Sequence, residues 1–208
     1  MRSPRAWLDG RFGTWRGLVR LLLAQGERMT GRLRGFGLRE PRRVRRVVFV
    51  CLGNICRSAY AEQVARAAGL HAVSVGLSTT TGAPSPDEAL AAAWRQRLPM
   101  DGHRARDWKD FRVQPGDLLL AMEVRQAREL LRRLGNRGDV QVALLGDWCR
   151  PRVPHLHDPF SLSRDYFDTC FTRIRYAVYR LAHDVPAARL PAGPIPTHPL
   201  RGTQRRQR

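Results

Sequence analysis

Cys51 and Arg57 stand six positions apart in the string Cys51-Leu52-Gly53-Asn54-Ile55-Cys56-Arg57-Ser58. A cysteine held as thiolate is a strong nucleophile. The planar fork of an arginine can grip two oxygens of a phosphate at once. Side by side, the two side chains suit phosphoryl transfer to sulfur. Read alone, Cys51 would be a buried structural thiol, which is the usual fate of a single cysteine. The whole string, set between an apolar run and a helix-forming run, specifies far more than a bare Cys-x5-Arg spacing.

The flanking residues say how the pair is held. Val47-Val48-Phe49-Val50 is apolar without alternation, as in a strand covered on both faces. Ala59-Tyr60-Ala61-Glu62-Gln63-Val64-Ala65-Arg66 contains strong helix formers and neither Pro nor Gly. Cys51 therefore sits at the floor of a strand-to-helix loop. In such a loop, backbone N–H groups and the positive end of the helix dipole form an anion cradle. Further along, the chain alternates between the two signals. Strands are predicted at 46–51, 72–76, 117–121 and 140–145, with helices at 57–69, 86–98, 123–134 and 163–183. That order predicts an α/β domain with a parallel sheet and helices on both faces. Ligands of such sheets bind at the carboxyl ends of the strands, where Cys51 falls.

At these residues the chain resembles the low-molecular-weight protein tyrosine phosphatase family. The resemblance runs from about residue 44 to 183. It takes in Gly102-His103-Arg104-Ala105-Arg106, Asp117-Leu118-Leu119-Leu120-Ala121-Met122-Glu123, and Asp158-Pro159-Phe160 with Ser163, Arg164 and Phe167 after it. It implies a three-layer, flavodoxin-like fold on a four-stranded sheet. It also implies hydrolysis of phosphotyrosine through a phosphocysteine on Cys51, with Arg57 as the clamp. The backbone from Leu52 through Gly53, Asn54, Ile55 and Cys56 to Arg57 and Ser58 is then the phosphate cradle. Asp158 is implied as general acid, and Pro159 restricts its backbone to extended geometry. Ser58 is expected to donate to the cysteine sulfur, and His103 to hold the Asn54 side chain. Phe160, in place of the family's usual Tyr, and Leu77 are expected to wall the substrate. Cys56 is expected to form a reversible disulfide with Cys51. Neither a cofactor nor a metal is implied. The Met122-Glu123 turn, Gly146-Asp147-Trp148 and the Asp158-Pro159 to Ser163-Arg164 pattern are similar to the bacterial branch associated with capsule and exopolysaccharide export. A tyrosine kinase of that export is the implied partner.

Charge is unevenly spread over the 208 residues. Residues 1–46 carry 13 Arg against 3 acids, while 185–208 carry 5 Arg and no acid. The net charge of +19 thus belongs mainly to the ends. Three segments follow: a basic extension at 1–43, amphipathic or partly disordered; a phosphatase domain at 44–184; and a disordered Pro/Arg-rich tail at 185–208. In the extension, Trp7, Leu8, Phe12, Trp15, Leu18, Val19, Leu22 and Leu23 recur at helical spacing, with Arg2, Arg16 and Arg20 opposite. This suits weak contact with an anionic membrane surface. Gly10, Gly13 and Gly17 oppose a stable helix. Nucleic acid is not an expected partner, since no stacking motif accompanies the arginines. A reactive thiolate and the absence of a signal-type segment point to the cytoplasm.

Two other functions are compatible with an anion loop. Arsenate reductases share the fold and need relay cysteines in a mobile segment after the second strand. Residues 78–110 contain no cysteine, which disfavours that chemistry. A non-catalytic phosphate-binding module would not need Cys51, Arg57 and Asp158 together.

Overall fold

The computed structural model describes residues 3–135 and 137–190. Four strands form one sheet: β1 (Arg46–Cys51), β2 (Ala72–Gly76), β3 (Asp117–Ala121) and β4 (Gln141–Leu144). Their order is β2-β1-β3-β4, and every pairing is parallel. The six helices among the described residues are α1 (Pro4–Phe12), α2 (Trp15–Met29), α3 (Arg57–Ala67), α4 (Asp87–Arg95), α5 (Val124–Leu134) and α6 (Arg164–Asp184). The predicted strands and domain helices are found with ends shifted by three residues at most, as fraying ends allow.

Strand alternation makes the three layers. Val47, Phe49 and Cys51 join a core shared with α3, α4 and α6. Val48 and Val50, on the opposite face, join a core shared with α5. All six residues of β1 are buried, which is why its sequence shows no polar alternation. The Tyr60 and Phe171 rings stack at 4.1 Å and fix α3 against α6. The chain runs from β1 out to β2, then crosses back to β3 on the other side of β1. The crevice of this switch point therefore opens between the carboxyl ends of β1 and β3.

The N-terminal segment departs from expectation. Its apolar residues do not form one stripe. Gly13, with φ of +80°, ends α1 and allows a sharp turn into α2. Thr14 then caps α2, its Oγ1 accepting the Gly17 N–H at 3.0 Å. Gly17, a poor helix former, lies inside α2 and allows close packing. A Cβ at that position would lie 2.8 Å from the His157 ring. The helical hairpin is tied to the domain by Thr169 Oγ1 donating to Gly10 O (2.7 Å), Gln25 Nε2 donating to Arg152 O (2.7 Å), and ion pairs Arg28–Asp147 and Glu27–Arg128.

At the other end, Pro186–Ala188 form a 3₁₀ turn and Arg189 bridges to Leu70. The expected disordered tail therefore begins with structured residues, and its remainder, 191–208, lies outside the described residues. Among the described residues, no helix is long and apolar enough to cross a membrane.

Candidate active site

The loop after β1 is built around its sulfur. The Asn54 backbone N–H donates to Cys51 Sγ at 3.2 Å. Asn54 has φ of +53°, a conformation Asn tolerates better than most residues. Ser58 Oγ lies 3.0 Å from the same sulfur. The proton directions follow from the neighbours. The Arg106 N–H donates to Asn54 Oδ1 at 2.8 Å, so the amide oxygen must face Arg106. Asn54 Nδ2 then donates to Ser58 Oγ (2.9 Å) and to Ser74 Oγ (2.8 Å). Ser74 passes its own proton to Glu62 Oε2, and Arg66 pairs with Glu62. Ser58, having accepted from Asn54, has its O–H left for Cys51. The relay from Arg106 to the sulfur has one consistent orientation.

His103 plays a different part from the one expected. Its Nε2 lies 2.7 Å from the backbone oxygen of Asn54, not from the side chain. The side chain of Asn54 has already spent its donors and its acceptor on Ser58, Ser74 and Arg106. Burial lowers the pKa of His103, first among several opposing effects, so the neutral ring donates one proton to that carbonyl. It still holds the loop, through the strained residue's main chain.

Arg57 opens α3, a helix whose first turn no side chain caps. It is 1% exposed. Its Nη1 donates to Glu123 Oε1 (2.6 Å) and to Leu156 O (2.8 Å), and its Nη2 donates to Asp158 Oδ2 (2.7 Å). No protein acceptor reaches its Nε. The donors left over are the Nε–H and one proton of Nη2, which together make the two-pronged grip that an oxyanion takes. Burial by itself would lower the pKa of Arg57, but the charges of Asp158, Cys51 and Glu123 raise it.

Glu123 is the functional residue that sequence reasoning passed over. Its position at the end of β3 was visible, but its role was not. Met122 N donates to Val50 O, so the two strand ends meet and Glu123 reaches Arg57 across the crevice. The Glu123 side chain is 1% exposed. Burial raises its pKa, yet Arg57 outweighs this and brings it down to about 2. Burial also holds His155, 4.0 Å from Glu123, down to about 4. At neutral pH, His155 is therefore uncharged and Arg57 is the main counter-charge. A carboxyl lowered in the folded state stabilises above its unfolded pKa, and that stability is lost only as pH falls toward 2. Glu123→Gln should thus lower unfolding free energy at pH 7 by about 3 kcal/mol, since it leaves buried Arg57 with the partly exposed Asp158 as its remaining carboxylate partner. Urea unfolding measures this, with Arg125→Ala, a more exposed partner of Glu123, as the near-neutral comparison. Equal stability of Glu123→Gln and the wild type would show that Arg57 does not depend on the pair.

Asp158 is more than a third exposed. Its Oδ1 accepts the Phe160 N–H at 3.3 Å, which turns the loop outward after Pro159. Phe160 is 52% exposed and Leu52 is 44% exposed, so both offer apolar surface on loops beside the cradle. Leu77 does not. It is buried with Val48 and Val50 on the other face of the sheet, because the step after β2 returns its side chain to the core. As a substrate wall, Leu77 is a correction.

All four cysteines are buried free thiols. Burial, followed by the charges of Asp158 and Cys51, raises the pKa of Cys56. Cys149 and Cys170 donate weakly to Arg173 O and His157 O and belong to the core. Among the described residues, no group of three or more His, Cys, Asp or Glu is placed to hold a metal.

Residues 46–190 match the sequence profile of the low molecular weight phosphotyrosine protein phosphatases. The low molecular weight protein-tyrosine-phosphatase Wzb of Escherichia coli K12 is 30% identical over 145 residues, covering 68% of this chain and 95% of that protein. Two solved structures share the fold. The tyrosine phosphatase AmsI of Erwinia amylovora superposes with a TM-score of 0.58 at 25% identity, over 68% of this chain and 93% of its own. The tyrosine phosphatase Wzb of Escherichia coli K30, in complex with sulphate, gives 0.57 at 25% identity, over 67% and 97%.

Proposed function

The chain belongs to the low molecular weight phosphotyrosine protein phosphatase family, and on that premise we propose that Cys51, Arg57 and Asp158 hydrolyse protein phosphotyrosine in two displacements. In the first, Cys51 Sγ attacks phosphorus in line while the bond to the phenolic oxygen breaks. Asp158 gives that oxygen a proton. In the second, water attacks the phosphocysteine, Asp158 takes a proton from the water, and sulfur departs. The Ser58 O–H, pointed at Sγ by Asn54, accompanies the sulfur through both steps. Arg57 holds two equatorial oxygens with Nε and Nη2 while Glu123 keeps its other end fixed.

The observation that carries this reading is the pair of uncommitted donors on a buried Arg57, beside a sulfur held by two hydrogen bonds. Asp158 sits on Arg57 Nη2 and forms a latch over that grip. An entering phosphoryl group must share or displace it, which brings the carboxyl beside the leaving oxygen. The test is release of phosphate from a phosphotyrosine peptide by the purified protein, with trapping of a phosphocysteine at Cys51 by acid quench. Turnover without a trapped cysteine phosphate would contradict the two-displacement route.

The substrate we propose is a tyrosine kinase of polysaccharide export. Its support is the resemblance of the Met122-Glu123 turn and Gly146-Asp147-Trp148 to that branch. Dephosphorylation of such a phosphorylated kinase faster than of an unrelated phosphotyrosine peptide is the expected result.

Peroxide should inactivate the enzyme reversibly. Oxidation of Cys51 to the sulfenic acid allows Cys56 to attack it, giving a disulfide and water. Because its pKa is raised, Cys56 reacts slowly at neutral pH and faster as pH rises. Non-reducing peptide maps should show Cys51 joined to Cys56 and freed by a thiol reductant. A bond from Cys51 to Cys149 or Cys170 would contradict this, as would sulfinic acid alone.

A further inference from the structure

We propose that the outward face of α2 docks on an anionic membrane surface. The inward face is fully used. Gly17 and Ala24 are buried, and Leu21 packs on one core while Ala24 enters the other. The outward face is apolar. Trp15 (62% exposed), Val19, Leu22 (61%), Leu23 (65%) and Met29 all face away from the domain. At 3.6 residues per turn these positions form one continuous arc, and Arg16 and Arg20 lie along its edge. This arrangement differs from the one predicted at the sequence level, where the arginines opposed a single stripe. Turning the helix to bury Gly17 and Ala24 puts the arginines beside the exposed apolar residues.

Charge selects the occupant. Arg5, Arg11, Arg16, Arg20, Arg32 and Arg34 are exposed on this segment, whereas Glu27 is paired to Arg128 and Asp9 stands almost alone against them. A second copy would bring like charges together at the same face, which disfavours self-association. An anionic lipid surface supplies opposite charge without a required shape, and the apolar arc can enter the acyl boundary. Trp7 and Trp15 are exposed amphipathic rings of the kind that settle at a headgroup layer. Arg11 and Arg16 lie over them at 5.8 and 5.6 Å. The tethers from Gly10, Gln25, Glu27 and Arg28 hold the hairpin already folded. Binding therefore does not have to order the helix first.

The test uses the full chain and vesicles of phosphatidylcholine, with or without phosphatidylserine. Co-sedimentation should require phosphatidylserine and should weaken as salt rises from about 0.1 M to about 1 M. The triple variant Trp15→Ser, Leu22→Ser, Leu23→Ser should lower the bound-to-free ratio about tenfold or more. Arg16→Glu with Arg20→Glu should do so by a similar factor. Both variants change exposed residues outside the catalytic loops, so nitrophenyl phosphate hydrolysis in solution should be unchanged and reports that they fold. The proposal is overturned if the wild-type chain fails to bind anionic vesicles at low salt. It is also overturned if binding to neutral vesicles is equal, or if the variants bind as well as the wild type. A concentration-dependent dimer that the triple variant abolishes, without lipid binding, would assign the face to a second copy instead.

Discussion

Cys51→Ser is expected to abolish hydrolysis of aryl phosphates, by about 10³-fold or more, with the fold intact. Serine fits the space, since Cys51 is 3% exposed and its neighbours are hydrogen-bond donors that an oxygen can also satisfy. What is lost is the nucleophile. A hydroxyl at neutral pH is a poor one, and neither hydrogen-bond partner of the sulfur is a base. Asn54 and Ser58 both donate toward the sulfur, and neither can take a proton from a hydroxyl. The cradle survives, so the variant should still bind inorganic phosphate by calorimetry. Turnover near the wild-type rate, with phosphate binding retained, would move the nucleophile elsewhere. Loss of both would mean that the substitution had damaged the loop.

Asp158→Asn should separate substrates by their leaving groups. Phenolate from tyrosine, with a conjugate-acid pKa near 10, leaves slowly unless protonated. Nitrophenolate is a better leaving group and needs less help. The phosphorylation step should therefore slow by about 10²–10⁴-fold for phosphotyrosine and much less for nitrophenyl phosphate. Pre-steady-state kinetics is the appropriate measurement, because breakdown of the phosphocysteine can mask the first step. The structure adds a second expectation. The variant removes the carboxylate from Arg57 Nη2, so phosphate should bind at least as well as in the wild type even as chemistry slows. Equal loss for both substrates would reduce Asp158 to a loop residue, and His157 would be the next donor to test.

The sheet was legible because β1 is buried on both faces and the helices between strands are amphipathic. The cradle was legible because Cys51, Asn54, Arg57 and Ser58 lie within one short string, where spacing and geometry nearly coincide. Residues that act across the fold were not. Glu123 stands 66 positions from Arg57, and nothing local marks a glutamate that follows a strand as a buried counter-charge. The bond from His103 went to the main chain rather than the side chain, because Asn54's amide was claimed by Ser74 and Arg106, contacts set by packing. Leu77 lies in the core because, one residue past β2, it still follows the alternation of Val73 and Val75, and that parity sends its side chain away from the cleft. Gly17 misled for a related reason. Its helix cost is local, while the gain, contact with His157, is tertiary.

The bond from Thr169 to Gly10 joins residues 159 positions apart, which orders events during synthesis. The hairpin (α1 and α2) is made before α6, its seat. At typical elongation rates the interval is on the order of ten seconds. Throughout it Leu21, which packs on the core that α6 completes, lacks its cover, and closure of so long a loop comes late in folding. The nascent chain therefore presents the apolar outward face of α2 before its catalytic domain is complete.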